Sequence, residues 1–169
     1  MIKITLPDNS IREFEAGVTG LDIANAISNR LAKDVLAISV NGEVWDLNRP
    51  IKSDANIRLF TWDDREGKET FWHSSAHLMA EAIEFFYPGT KFGIGPTIDT
   101  GFYYDIDLPE GIQLTEKDLE KIEKKMLELS RERNEIIRSE ISKADALEMF
   151  SQNQDPLKLE LNSELADGT

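Results

Sequence analysis

Short runs of alternating apolar and polar residues dominate the first sixty positions of the chain. Residues 1–6 (MIKITL) and 11–15 (IREFE) alternate in part, and the Pro, Asp, Asn and Ser between them form a turn signal. This pattern predicts a β-hairpin at the start of the chain.

A helical spacing follows the hairpin. Thr19 is a suitable N-cap, and apolar residues recur behind it at Leu21, Ala24, Ile27 and Leu31. One short helix is therefore expected here.

The alternating pattern then returns. Residues 36–40 (LAISV) and 43–47 (EVWDL) flank Asn41-Gly42, a dipeptide typical of a two-residue hairpin turn, and residues 57–60 supply a last strand. The order β-β-α-β-β-β predicts a small α+β roll whose helix covers one face of the sheet.

A charged stretch without periodicity occupies residues 63–69 (DDREGKE). It predicts a linker and a domain boundary near residue 62. Thr70 is a candidate N-cap for the next helix, which is expected to run to about Phe86 and to end at the Pro-Gly pair that follows.

Further elements are predicted downstream. Residues 91–107 mix glycines, aromatics and β-branched residues, which favours strand, turn, strand. Thr115 and Asp118 form a pair resembling a capping box ahead of a long charged helix, and residues 142–151 predict a short helix. The apolar face expected for the long helix contains Leu119, Ile122, Met126 and Leu129.

The helix expected from Thr70 to Phe86 carries both histidines of the chain. At 100° per residue, its apolar stripe contains Trp72, Ala76, Met79, Ile83 and Phe86, flanked by Leu78, Ala82 and Phe85. His73 and His77 lie together roughly 100° or more from this stripe, so both imidazoles are expected to face solvent or a cleft. The arc they occupy also contains Ala80, Glu81 and Glu84.

Two histidines one helical turn apart aim two imidazoles at one point. Such a pair can serve as two metal ligands or as an acid–base pair that titrates near neutral pH. The alternative is a pair of surface histidines without a functional role. A zinc-protease helix requires Glu directly after the first histidine, and Ser74 in that position excludes this class.

Several neighbouring residues have both a functional and a structural interpretation. Glu81 and Glu84 are candidate metal ligands or pKa-tuning groups, although such carboxylates more often solvate a helix surface. Residues 93–95 (GIG) lack the third glycine of a dinucleotide loop, which favours a tight strand bend. Residues 102–104 (FYY) are candidates for stacking on a base or ribose, with core packing favoured.

Composition narrows the class of protein. With 169 residues and 40% apolar content, the chain can bury the core of one domain or of two small ones. The absence of cysteine restricts any metal site to His or carboxylate ligands. No signal-peptide pattern and no run approaching the ~20 apolar residues of a membrane span is present, so a cytoplasmic protein without a membrane partner is expected.

The net charge of −13 is unevenly distributed. Residues 1–62 contain seven Lys and Arg against eight Asp and Glu, a net of −1, which leaves −12 for residues 63–169. Broad clamping of a phosphate backbone depends on Lys and Arg displacing counterions. If RNA is the partner, this chain therefore offers a local pocket and not the main electrostatic grip.

Two motifs, taken in order, resemble a known family. Residues 73–80 (HSSAHLMA) and 91–105 (KFGIGPTIDTGFYYD) closely resemble the editing domain of bacterial-type threonyl-tRNA synthetases. Residues 1–62 resemble a TGS domain, the ubiquitin-like β-grasp module that opens these synthetases. In alanyl-tRNA synthetases a related histidine helix follows the catalytic core, so the order of the motifs indicates the threonyl family.

This resemblance implies an α+β fold with a TGS domain at residues 1–62. An α+β editing domain follows at residues 63–169, and the chain is expected to end inside it.

The resemblance also implies a function. These aminoacyl-tRNA synthetases use ATP to attach threonine to tRNA(Thr). A threonine site cannot sterically exclude serine, which is smaller by one methyl, and a methyl gives only about 1–3 kcal/mol of discrimination. A second site that hydrolyses seryl-tRNA(Thr) corrects the error, and the N-terminal region of the family is credited with it.

Three residues receive editing roles by the same resemblance. His73 would orient or deprotonate the attacking water, with the terminal 2′-hydroxyl as a helper, and His77 would support it and bind the terminal adenosine of the tRNA. Lys158, within residues 155–159 (DPLKL), corresponds to a family lysine that stabilises the developing oxyanion. An ordinary surface lysine is the alternative.

The family pattern also includes a Cys and a His, next to an acidic residue, in a segment beyond Thr169. We therefore expect this chain alone to deacylate seryl-tRNA(Thr) weakly or not at all, and we expect no cofactor within it. The resemblance places the sites for ATP, Mg²⁺ and Zn²⁺ in a downstream catalytic core, through which the parent enzyme would form a homodimer.

Three other interpretations stay open. The chain could be a regulatory or RNA-binding TGS module in which the histidine helix is a scaffold. It could be a metal-dependent aminoacyl-tRNA deacylase of the alanyl editing type, which the absence of cysteine disfavours. A purely structural role is the third.

Overall fold

The computed structural model describes residues 1–134, 137–152 and 156–164. The chain divides into two compact units. The first unit contains Met1–Ser74 and Thr97–Gly101, and the second contains Ser75–Pro96 and the described residues from Phe102 onward. The sequence predicts that the chain ends inside a domain. Its last residues, 165–169, lie outside the described ranges.

A five-stranded sheet forms the centre of the first unit. Its strands are β1 (Ile2–Thr5), β2 (Ile11–Phe14), β3 (Ala37–Val40), β4 (Glu43–Trp45) and β5 (Ala55–Phe60). The order across the sheet is β2-β1-β5-β3-β4, with β1 and β5 parallel and the other neighbours antiparallel. Both predicted hairpins are confirmed, and the last strand begins two residues earlier than predicted.

The second hairpin turns at the predicted Asn-Gly pair. Asn41 has φ 52° and Gly42 has φ 93°, so both lie in the left-handed region that a type I′ turn requires. The Asn41 side chain also accepts a hydrogen bond from the Asn56 backbone N–H at 2.9 Å, which ties the turn to β5.

The sheet is covered by helix α1 (Gly20–Ile27), and a short helix α2 (Leu31–Asp34) follows. Thr19 caps α1 as predicted, because its hydroxyl accepts the Asp22 backbone N–H at 3.2 Å. Leu31 was expected on the same helix but begins α2, since the backbone is extended at Ser28. The fully buried side chains between α1 and the sheet include Ile4, Ile23, Ile38 and Ile51.

Helix α3 (Arg65–Phe86) begins five residues before the predicted position. The prediction of a linker at residues 63–69 is therefore wrong from Arg65 onward. Thr70 is an interior residue whose hydroxyl donates to the Glu66 carbonyl at 2.8 Å, and it does not cap the helix. The predicted end at Phe86 is confirmed, and the division between the two units falls inside α3, after Ser74.

The strands after α3 are two residues long. They are β6 (Lys91–Phe92), β7 (Thr97–Ile98), β8 (Gly101–Phe102) and β9 (Ile106–Asp107). β6 pairs with β9 in antiparallel register, and β7 pairs with β8. The predicted strand, turn, strand thus consists of two short ladders.

Three helices complete the described part of the chain. They are α4 (Glu116–Glu132), α5 (Lys143–Gln152) and α6 (Pro156–Glu164). The first two confirm the sequence predictions, and α6 was not predicted. Lys143 of α5 donates to the Ser163 carbonyl of α6 at 3.3 Å.

The second unit buries a core built on one side of α3 and α4. Its buried members are Ala80, Ala82, Ile83, Phe92, Ile122 and Leu129. Three side chains predicted to pack are instead exposed, namely Phe85, Phe86 and Leu119. The core of the second unit therefore covers only part of the apolar face of α3 and of α4.

Candidate functional site

His73 lies on α3 within the first unit, and its side chain is exposed as the helical arc predicted. The residue before it, Trp72, belongs to a cluster of three aromatic rings with Trp62 and Phe71. The ring centroids are 5.1 to 5.6 Å apart and the pairs are edge-to-face, an attractive geometry for aromatic rings. His73 therefore lies directly after a helix segment that is held in place by packing of aromatic rings.

His77, which belongs to the second unit, is also exposed. Its ring centroid lies 6.4 Å from that of Tyr104, with the ring planes at 87°. Tyr104 in turn packs on the buried Phe92 at 5.6 Å. The imidazole of His77 thus has a half-buried aromatic neighbour that is itself fixed by the core of the unit.

Gly95 allows Tyr104 to take this position. A Cβ on Gly95 would lie 2.9 Å from Cδ2 of Tyr104 and 3.1 Å from the Tyr103 carbonyl oxygen. Both distances are shorter than ordinary van der Waals contact. The strand bend predicted for residues 93–95 is therefore a close approach between backbone and ring that only glycine permits.

The three aromatic residues at positions 102–104 differ in exposure. Tyr103 is 65% exposed, whereas Phe102 and Tyr104 are half-buried. Core packing was favoured for this stretch, and Tyr104 fulfils it while also contacting His77. The contact to His77 was not predicted, because it joins residues 27 positions apart in the sequence.

The arc around the histidines is narrower than predicted. Glu81 and Glu84 are exposed, but Ala80, expected on the same arc, is buried in the core of the second unit. Within residues 1–134, 137–152 and 156–164, no group of three or more His, Asp or Glu side chains is arranged to hold a metal ion.

Lys158 lies on α6 and its side chain is half-buried. Its ammonium is 5.8 Å from the ring centroid of Phe150 on α5, within cation–π range. Asp155, the first residue of the DPLKL stretch, lies outside the described residues. The structure therefore places Lys158 against the α5 helix and leaves its predicted catalytic role as a prediction.

The C-terminal end of α3 is tied to the start of α4. Asp118 accepts hydrogen bonds from the hydroxyl and backbone N–H of Thr115 at 2.6 and 3.0 Å, from Lys121 at 3.0 Å, and from the Tyr87 hydroxyl. These donors hold the pKa of Asp118 far below its usual range. Desolvation, reinforced by the Asp118 carboxylate, raises the pKa of Tyr87.

No helix in the described part of the chain is long and apolar enough to cross a membrane. This finding covers the 22-residue α3, whose charged residues interrupt every apolar run.

Comparison with known proteins identifies similarity over both units. Residues 2–61 match the TGS domain family. The threonine–tRNA ligase of Porphyromonas gingivalis strain ATCC 33277 is 63% identical over 169 residues, that of Cytophaga hutchinsonii is 59% identical over the same length, and that of Bacteroides thetaiotaomicron is 58% identical over 168 residues.

These matches cover 99–100% of this chain but only 26% of each relative. The chain thus spans about a quarter of the length of the curated relatives it matches.

Proposed function

We propose that this chain, which carries a TGS domain at residues 2–61 and is related to threonine–tRNA ligases over its whole length, takes part in hydrolytic editing of seryl-tRNA(Thr). The enzyme to which it contributes would attach threonine to tRNA(Thr) with ATP. The observation that carries the proposal is the exposure of both histidines on successive turns of α3, within a chain about 60% identical to these ligases.

The chemistry of ester hydrolysis accounts for the histidines. Deacylation needs a base to accept a proton from the attacking water, and an imidazole titrates near neutral pH. Exposed side chains are accessible to the acylated end of a tRNA. In this proposal His73 orients or deprotonates the water, and His77 supports it and contacts the terminal adenosine.

Lys158 would supply positive charge to the oxyanion that forms when water attacks the ester carbonyl. Its half-buried stem and its position near Phe150 restrict the ammonium more than on a fully exposed lysine. This assignment is a proposal of its own and can fail without affecting the histidines.

The partner in this proposal is tRNA(Thr) with serine attached to its terminal adenosine. The net charge of −12 over residues 63–169 favours recognition of that terminus over broad contact with the RNA backbone. Aminoacylation, with its ATP, Mg²⁺ and Zn²⁺ sites, and homodimerisation would use residues that this chain does not contain. A cytoplasmic location follows from the same proposal.

The test uses the complete product of the gene. His73→Ala should slow deacylation of seryl-tRNA(Thr) by about 100-fold or more, the usual contribution of a positioned base, while aminoacylation with threonine is unchanged. Glu120→Ala, at an exposed position on α4, is the matched control and should leave both rates unchanged.

Other outcomes identify the alternatives. If His73→Ala and His77→Ala both leave the level of mischarged tRNA unchanged, the histidine helix is a scaffold and the TGS module carries the function. Bound metal in stoichiometric amount, together with loss of deacylation on chelation, would favour the metal-dependent deacylase.

This chain by itself is expected to show weak or no deacylation, because the family's Cys and His are not among its residues. Robust hydrolysis by the 169-residue chain that disappears in His73→Ala would contradict that expectation.

A further inference from the structure

The segment that leaves β5 turns at once into α3. Asp64 sits at this turn and its carboxylate accepts the Thr61 backbone N–H at 2.9 Å and the Arg58 guanidinium at 2.6 Å. In return, the Asp64 backbone N–H donates to the Thr61 carbonyl at 3.1 Å. The start of α3 is thereby bonded to the last strand of the sheet.

The charge state of Asp64 supports the same bonding. The Thr61 backbone N–H, followed by the Arg58 guanidinium, holds the pKa of Asp64 below its ordinary value. The carboxylate is therefore ionised at neutral pH and can accept all of these hydrogen bonds.

Gly67 lets the first turn of α3 pack closely against Thr61. It is buried, and a Cβ at this position would overlap the Thr61 carbonyl oxygen and lie 2.9 Å from the Thr61 carbonyl carbon. Both contacts are with backbone atoms, which cannot rotate away as a side chain does. Any residue larger than glycine must push α3 away from the end of β5.

The aromatic cluster extends this attachment along the helix. Trp62, from the turn, contacts Phe71 at 5.1 Å and Trp72 at 5.6 Å between ring centroids. Trp72 directly precedes His73. The position of His73 relative to the sheet is thus set at two points, by Gly67 on the first turn and by Trp62 beside the second and third turns.

We propose that this junction, defined as Thr61, Trp62, Asp64 and Gly67, positions His73 for editing. The inference rests on the proposed function and extends it, since it gives the TGS sheet a part in the editing site. His73 and the sheet belong to the same compact unit, and His73 lies six positions after Gly67 on the helix, a rise of ~9 Å. A shift of the first turn is carried along the helix to the imidazole.

Gly67→Ala in the complete gene product is the principal test. We expect kcat for deacylation of seryl-tRNA(Thr) to fall by about 10- to 100-fold, because a displacement of about 1 Å at a catalytic group has an effect of this size. KM for the tRNA and the rate of aminoacylation should not change. Alanine favours helix more than glycine does, so a loss of activity cannot be attributed to helix propensity.

Ser151→Ala is the matched control, since it places alanine at an exposed helical position on α5. It should leave deacylation unchanged. If His73→Ala slows deacylation, an unchanged kcat in Gly67→Ala would overturn the positioning role.

Two substitutions of Trp62 test the junction without creating an overlap with backbone atoms. Trp62 is 45% exposed, so its replacement is less disruptive to folding. Trp62→Ala should lower kcat, and Trp62→Phe, which keeps an aromatic ring against Phe71 and Trp72, should restore most of it. Equal activity of the two variants would also contradict the proposal.

Imidazole NMR separates this inference from the proposed function. In the complete gene product, the His73 imidazole signals are the ones that disappear from the spectrum of His73→Ala. Gly67→Ala should shift the His73 signals. If His73→Ala leaves deacylation intact, the proposed function fails, and the shift still shows that the junction sets the position of His73. Unchanged His73 signals in Gly67→Ala would overturn the inference in either case.

Discussion

The two units differ in how their cores are built. In the first, strands of three to six residues form a continuous sheet, and four isoleucines are fully buried between it and α1. In the second, the described strands are two residues long, and Ile83 is the one large side chain of its described residues that is buried to the same degree. A hydrogen-bonded sheet places side chains at fixed spacing, whereas helices joined by loops depend on contacts between distant residues.

Truncating a buried side chain is therefore expected to cost more stability in the core of the first unit than in the core of the second. Ile38→Ala should lower the free energy of unfolding by about 4 kcal/mol, and Ile83→Ala by about 2–3 kcal/mol, within the range for buried isoleucine. Ile38 contacts the backbone of α1 at Gly20, where a Cβ would lie 3.1 Å from its side chain, so the site has little freedom to collapse.

Urea denaturation measures both effects. Tryptophan fluorescence reports the first unit, which contains all three tryptophans, and far-UV circular dichroism reports the helices. A loss in Ile83→Ala as large as that in Ile38→Ala would remove the distinction between the cores.

The caps of α1 and α4 form a second matched pair. In both caps the threonine hydroxyl and backbone N–H donate to the carboxylate three residues on. Without the hydroxyl, Asp118 keeps three donors, namely the Thr115 backbone N–H, Lys121 and Tyr87, whereas Asp22 keeps the Thr19 backbone N–H. Thr19→Ala should therefore destabilise by about 1 kcal/mol and Thr115→Ala by about 0.5 kcal/mol. Thermal unfolding of the two variants at neutral pH gives the ranking, and a reversed order would show that the cap of α4 matters more.

The smallest effect expected is the pH dependence due to Asp118, because water screens this network. Its folded-state pKa is depressed, so the stability it contributes is complete above its unfolded pKa of about 3.9 and is lost as the pH falls below that value. Asp118→Asn should lower the melting temperature at pH 7 and reduce its further fall at pH 3. A parallel fall in both proteins would contradict this assignment.

Sequence features that act over a few neighbouring residues predicted most of the secondary structure of the first unit. Asn41-Gly42 determines its own turn through two left-handed residues, and Thr19 caps the helix that follows it within three positions. These features depend on neighbours in the sequence, which is why the hairpins, the helix and the α+β class were predicted correctly.

The start of α3 was not predicted, because it depends on packing and hydrogen bonding to the end of β5, which the composition of residues 63–69 does not reveal. Residues 63–69 look like a linker by composition, yet Asp64 is fixed by Arg58 of β5 and Gly67 packs on Thr61. The glycine that suggested flexibility is required for close packing.

The exposure of His73 and His77 followed from helical spacing alone. Spacing could not predict that Ala80 is buried or that Tyr104 contacts His77, since both depend on residues far away in the sequence. The roles of the histidines and of Lys158 rest on resemblance and await the experiments above.

The outer strands of the first unit explain why its sheet stays five strands wide. β2 and β4 lie at its two edges, are only four and three residues long, and carry Arg12 with Glu13 and Glu43, respectively. Short edges with charged side chains discourage pairing with a further strand. This protects the chain against edge-to-edge aggregation, and replacing Arg12 and Glu13 with valine would be expected to promote it.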